Sequence, residues 1–180
     1  MGVKSVGLFC AASESIDPLY VEHARAVGNL IGEMGLGLVY GGAAAGLMEA
    51  TAAAAKAAGG HITGVVPQLL IERNRVSALL DERVVTRNLS DRKDNILERS
   101  DILLALPGGV GTLDEVFHVM AAATIGYHTK RVLFYNVNGF WDGMIALLHS
   151  YKQQGFLRGD CDNYFVVVST LPELKKLLNC

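Results

Sequence analysis

No apolar run in the 180-residue sequence approaches the roughly 18 residues that a membrane-spanning helix needs, so a membrane is not expected as a partner. Positive charge is not in excess either: 16 Lys and Arg against 18 Asp and Glu leave a formal net charge of −2. With no basic cluster, nucleic acid and anionic surfaces are poor partners. Cysteine is scarce, and Cys10, Cys161 and Cys180 show no C-x-x-C spacing and an odd count, which fits a reducing compartment. Met1 to Leu8 hold one lysine and no useful apolar stretch, so no secretory leader is read there and the expected location is the cytoplasm. His23, His61, His118, His128 and His149 are scattered without ligand spacing; neither a metal nor a cofactor is expected. A G-x-S-x-G elbow and a paired Cys/His arrangement are both missing, which removes the usual marks of nucleophilic catalysis.

What is present is a globular composition, 51% hydrophobic and 19% charged, long enough for one domain over residues 1–180. Short apolar runs predict strands over 3–10, 36–40, 61–66 (stopped by Pro67), 82–88, 101–106, 131–137 and 164–169. Between them lie helical patterns. Asp17-Pro18 opens one as N-cap and first helical residue, Ala24, Val27, Leu30, Ile31 and Met34 form its stripe, and Gly35 ends it. Further helices are predicted over 47–58, 113–125, 140–153 and 172–178, and one capped by Ser90 runs to about Arg99. Residues 68–81 read as a loop with some helix. Strands alternating with helices predict an α/β fold, a Rossmann-like doubly wound parallel sheet.

Two glycine-rich turns fall between a strand and a helix: Gly41-Gly42-Ala43-Ala44-Ala45-Gly46 and Pro107-Gly108-Gly109-Val110-Gly111-Thr112. Glycine lets backbone approach a ligand, and the free N–H groups of a first helical turn point at negative charge. Each turn alone is read as readily as a tight turn as an anion site. Neither has the G-x-G-x-x-G spacing of a dinucleotide site, and no G-K-[ST] marks a P-loop, so a mononucleotide fits better. Two carboxylates, Asp114 and Glu115, stand where the anion would be bound, which points to chemistry rather than phosphate storage. Arg92 and Lys93 are placed by the same reading in the first turn after Ser90, where cations oppose the helix dipole; either a bound anion supplies the missing charge, or Asp91 and Asp94 offset it in an exposed mixed-charge turn. Glu115 has a second reading, since Thr112-Leu113-Asp114-Glu115 matches a capping box. Cys10, at a strand end, reads as packing.

Pro107 to Glu115 also match the P-G-G-x-G-T-x-x-E signature of the Lonely Guy family, the cytokinin riboside 5′-monophosphate phosphoribohydrolases, long mislabelled as lysine decarboxylases. The resemblance runs through Val6-Gly7-Leu8-Phe9-Cys10, Leu38-Val39-Tyr40-Gly41-Gly42, Gly46-Leu47-Met48, Gly64-Val65-Val66-Pro67, Asp91-Arg92-Lys93 and Gly126-x-His128-x-Lys130. It implies a Rossmann-like homodimer that cleaves the N-glycosidic bond of an adenine-type nucleoside 5′-monophosphate. Arg92 and Glu115 would be the catalytic pair. Lys93, Gly109, Val110, Gly111, Thr112 and Asp114 would lie against the nucleotide, with Gly41, Gly42 and Gly46 near it. The sequence departs from the family pattern at Ala11-Ala12, Ala43, Glu49, Asn74, Leu89-Ser90 and Ala121 to Ile125. Two readings of function follow: a glycosidase acting on cytokinin nucleotides or AMP, and a non-catalytic nucleotide-binding or carrier module on the same fold.

Overall fold

Parallel strands need a crossover long enough to carry the chain back to the starting edge of the sheet. In the structure, a computed structural model that describes residues 2–179, helices supply nearly all of these crossovers. Cys180 lies outside the described residues. The order is β1 (Ser5–Phe9), α1 (Pro18–Glu33), β2 (Gly37–Tyr40), α2 (Gly46–Ala57), β3 (Ile62–Pro67), α3 (Gln68–Glu72), β4 (Glu82–Thr86), α4 (Leu89–Arg99), β5 (Ile102–Ala105), α5 (Val110–Thr124), β6 (Val132–Tyr135), α6 (Asp142–Gln153), β7 (Phe165–Val168) and α7 (Leu171–Leu178). The strands form one sheet in the order β4-β3-β2-β1-β5-β6-β7, every pair parallel, as the strand–helix alternation predicts.

Alternating side chains divide the core between the two faces of the sheet. Leu8, Leu38, Tyr40, Leu104 and Tyr135 point to one side, under α1, α2 and α7. Phe9, Val39, Val65, Leu103, Ala105 and Phe134 point to the other, under α4, α5 and α6. Right-handed crossovers account for the division: the chain steps from β1 to β4 along one face and returns along the other.

Local signals set most helix ends. Asp17 accepts from the Leu19 N–H at 2.9 Å, Pro18 opens α1, and Gly35 follows it at φ 67°. Several expected boundaries move by a residue or more, and three of these shifts have a clear local reason. Pro67 does not stop β3 but is its last residue, with extended φ −68° and ψ 145°, in register with Thr86. The cap of α4 is Asn88, whose side chain accepts from the Asp91 N–H at 2.9 Å, and Ser90 lies inside the helix. Arg92 and Lys93 therefore begin the second turn, and the first carries Asp91, which suits the dipole. Helix α5 starts at Val110 with Gly109 as N-cap, so Thr112 to Glu115 form no capping box. A capping box is instead formed by Thr170 and Glu173 at the start of α7.

α1 lies against α2 along a seam of small residues. A Cβ on Gly28 would overlap the Thr51 carbonyl oxygen and lie 2.9 Å from Ala54 Cβ; one on Gly32 would lie 2.6 Å from Ala58 Cβ. Alanine is favoured over glycine by about 1 kcal/mol in a helix interior, but overpacking a close contact typically costs about 1–3 kcal/mol. Gly28→Ala should therefore lose stability in a denaturant titration. Gly143→Ala in α6, with nothing within 4 Å of the new Cβ, should match the parent or exceed it. A Gly28→Ala protein as stable as Gly143→Ala would show that the seam is not close-packed.

Candidate active site

The sheet order reverses beside β1, because the chain leaves it toward β2 on one side and returns as β5 on the other. Ligands of open α/β sheets bind at such a switch point, outside the carboxyl ends of the strands. A cavity of about 330 Å³ opens there, lined by Cys10 to Ser13 after β1 and by Gly109, Gly111, Thr112 and Glu115 after β5, with Met48 and Arg92. Backbone bonds fix both walls: Leu106 N–H donates to the Phe9 carbonyl at 3.0 Å and Ala11 N–H to the Pro107 carbonyl at 3.1 Å. Leu47 N–H, at the start of α2, donates to the Ala11 carbonyl at 2.9 Å. A larger cavity of about 550 Å³ lies alongside α4 and α5, lined by Leu97, Ala121, Ala122, Ile125 and Tyr127 together with Asp94, Glu98, His118, His128 and Lys130. The smaller one is the candidate site because its lining holds a buried ion pair together with a carboxylate oxygen that has no hydrogen bond from the described residues.

Arg92 and Glu115 supply both. Arg92 Nη1 donates to Glu115 Oε1 at 2.7 Å, with side-chain exposures of 11% and 4%. Arg92 Nε donates to the Val65 carbonyl at 3.2 Å. Glu115 Oε2 is buried and accepts no hydrogen bond from the described residues. Burial pushes the Glu115 carboxyl up to about 7, against the lowering pull of the Arg92 charge and its hydrogen bond. Burial likewise raises the Cys10 thiol well above its ordinary value, so it stays neutral, in keeping with a packing role. A carboxylate with one oxygen anchored and the other turned loose, poised near neutral pH, can stabilise a cation or take a proton from water.

The structure brings five of the sequence-predicted residues into this one cavity: Arg92, Glu115, Gly109, Gly111 and Thr112. Lys93 and Asp114 pair with each other at 2.7 Å, one residue along each helix from the buried pair. The Val110 side chain is 85% exposed, which leaves its backbone as the part available at the start of α5. Gly41, Gly42 and Gly46 do not line the cavity. Gly42 (φ 69°) passes close to Val66, Gly46 (φ 57°) passes the backbone of Ala11 to Ser13, and Gly41 lies against Arg92. Cys10 to Ser13 and Met48 line the cavity without having been predicted as site residues; Cys10 and Met48 lie in stretches that carry the family resemblance, and the signal available for Ala11 to Ser13 was their position after the first strand.

Comparison with known proteins places this geometry in a family. Residues 48–178 match the family model described as possible lysine decarboxylase. The chain is 36% identical over 172 residues to the cytokinin riboside 5′-monophosphate phosphoribohydrolase of Mycobacterium tuberculosis, covering 96% of this chain and 91% of that one. It is 31% identical over 175 residues to an Arabidopsis thaliana protein of the same name, covering 97% and 77%. Among solved structures, the molybdenum cofactor carrier protein of Chlamydomonas reinhardtii superposes with a TM-score of 0.76 at 22% identity, covering 97% of this chain and 95% of that one. The molybdenum cofactor binding protein of Rippkaea orientalis gives 0.73 at 23%, covering 99% and 96%. At those identities the likeness to the carriers is one of fold. The sequence matches, spanning nearly the whole chain, show that the chain belongs to the Lonely Guy family of cytokinin riboside 5′-monophosphate phosphoribohydrolases.

Proposed function

We propose that this chain hydrolyses the N-glycosidic bond of adenine-type nucleoside 5′-monophosphates, either cytokinin riboside 5′-monophosphates or AMP, releasing free base and ribose 5-phosphate. The observation that carries the reading is Glu115: buried in the wall of the cavity, tied to Arg92 through one oxygen, and with its other oxygen accepting no hydrogen bond from the described residues. Breaking a ribosyl C–N bond builds positive charge on the sugar, as in glycoside hydrolysis. Glu115 stabilises that charge or activates the water; the water gives its hydroxyl to C1′ and its proton leaves with the base. Arg92 orients the carboxylate. The first turn of α5 offers the backbone N–H groups of Val110, Gly111 and Thr112 to the phosphate, and Lys93, held by Asp114, adds charge nearby. Gly41, Gly42 and Gly46 shape the site rather than touch the nucleotide.

Chromatography after incubation with AMP, isopentenyladenosine monophosphate and adenosine tests this. Both monophosphates are the candidate substrates, and adenosine, lacking the anion, should react far more slowly. Nucleotide binding without base release would instead make the chain a binding module.

The role of Glu115 has its own test. Glu115→Gln keeps an acceptor for Arg92 and should fold, yet turn over about 100- to 1,000-fold more slowly, the usual loss for one well-placed electrostatic group. The parent rate should rise with pH through about 7 as Glu115 ionises, and the variant should lose that limb. Stability runs the other way. A carboxyl raised from 4.5 to about 7 contributes stability that is complete below 4.5 and lost as pH rises through 7, so the parent should lose ground to Glu115→Gln over that window. A fully active Glu115→Gln would remove the carboxylate from the mechanism.

We also propose a homodimer built on α5. Val110, Phe117 and Ile125 are 85%, 40% and 65% exposed, and with the exposed Ala121 they recur at seven- and four-residue spacing along one stripe. The larger cavity, with Ala121, Ala122 and Ile125 in its wall, lies beside it. A helix apolar on both sides needs cover from the sheet and from something else. Light scattering at micromolar concentration should give twice the 19.3 kDa chain mass, and Phe117→Asp should give a monomer. A monomeric parent would end the proposal.

A further inference from the structure

Gly41 directly follows β2 and is buried, and its φ is not among the positive values that only glycine adopts readily. Backbone conformation therefore does not explain the missing side chain; space does. A Cβ there would overlap Arg92 Nη2, lie 2.8 Å from Cζ and 3.3 Å from Nε. The guanidinium thus occupies the volume that any other residue at position 41 would fill. Its remaining neighbours are fixed: the Val65 carbonyl on Nε at 3.2 Å and Glu115 Oε1 on Nη1 at 2.7 Å. Two strand ends and one helix hold a single planar cation.

We propose that Gly41 is a positioning residue of the reaction, its bare backbone being the seat that holds the Arg92 guanidinium where Nη1 anchors one oxygen of Glu115 and leaves the other for the substrate. Gly41 touches no reacting atom and acts through Arg92 alone. The consequence for turnover rests on the assignment of Arg92 and Glu115 made above; the consequence for the pair itself does not.

In Gly41→Ala the group that must yield is the far end of Arg92, not backbone, so the protein should fold with the guanidinium displaced. Misplacement of this order costs about 100-fold in turnover, and the loss should fall on kcat more than on KM. Both the Arg92 charge and its hydrogen bond lower the Glu115 carboxyl, so moving them away should raise it further. The acidic limb of the rate profile, and an NMR titration of the Glu115 carboxyl without substrate, should shift upward together. In an Arg92→Ala background nothing fills the seat, and adding Gly41→Ala should change neither melting temperature nor titration. An unshifted Glu115 titration in Gly41→Ala, or equal effects in both backgrounds, would overturn the proposal. Should Gly41→Ala fail to fold, the Gly41→Ala/Arg92→Ala protein should regain the fold; failure there too would also overturn it. If no nucleotide releases base while the titration and the cycle behave as expected, the functional reading fails and the seat stands.

Discussion

Opposite charges taken out of water are stabilising only when their geometry is good and their other hydrogen-bonding groups are satisfied; removing one partner then leaves an uncompensated buried charge. The Arg92–Glu115 pair imposes that constraint on everything around it. Asn88, by capping α4, sets which residue of that helix faces the strand ends. Val65 gives a carbonyl to the guanidinium edge, and Gly41 gives up a side chain. The same two helices are joined again by Lys93–Asp114 at 2.7 Å and by Asp94–His118 at 2.9 Å when the imidazole is protonated. The one buried atom of the pair without a hydrogen bond among the described residues, Glu115 Oε2, belongs to a residue that lines the cavity.

The cavity wall reinforces the effect. Apolar surroundings that raise the Cys10 thiol and the Glu115 carboxyl also weaken the screening of any charge that enters. On the reading proposed above, a cation developing on a bound sugar would meet a poorly screened carboxylate. Neutral Cys10 contributes only bulk.

Periodicity alone made the sheet legible, because each strand is a short apolar run bounded by turn residues and each crossover helix has its own stripe. Strand order was not legible in the same way. It comes from which faces pack, and with it comes the lining by Cys10 to Ser13 and Met48. Caps misled for a local reason: Asn88 and Ser90 are both good N-caps two residues apart, and only the extended backbone of Asn88 decides between them. Thr112 and Glu115 have capping-box spacing, yet α5 begins at Val110, two residues before Thr112, which puts Glu115 too deep in the helix to reach back. The glycines of the turn after β2 read equally as a tight turn or an anion site, and Gly42 and Gly46 adopt positive φ beside Val66 and beside the β1 loop. Glycine marks close approach, and a sequence does not say what approaches.

Asp101, at the foot of β5, accepts the N–H groups of Lys4 and Ser5 at 2.8 and 3.0 Å, a staple between strands whose bonded residues are 97 and 96 positions apart in sequence. The two walls of the cavity stand at the far ends of these same two strands. Every other neighbouring pair in the sheet joins strands consecutive along the chain, so β1 with β5 is the one long closure the topology demands. Such a closure carries the largest chain-entropy penalty and favours late pairing. Until that closure forms, the two walls of the cavity stand on strands not yet paired with each other, so the candidate site exists only once the sheet is complete.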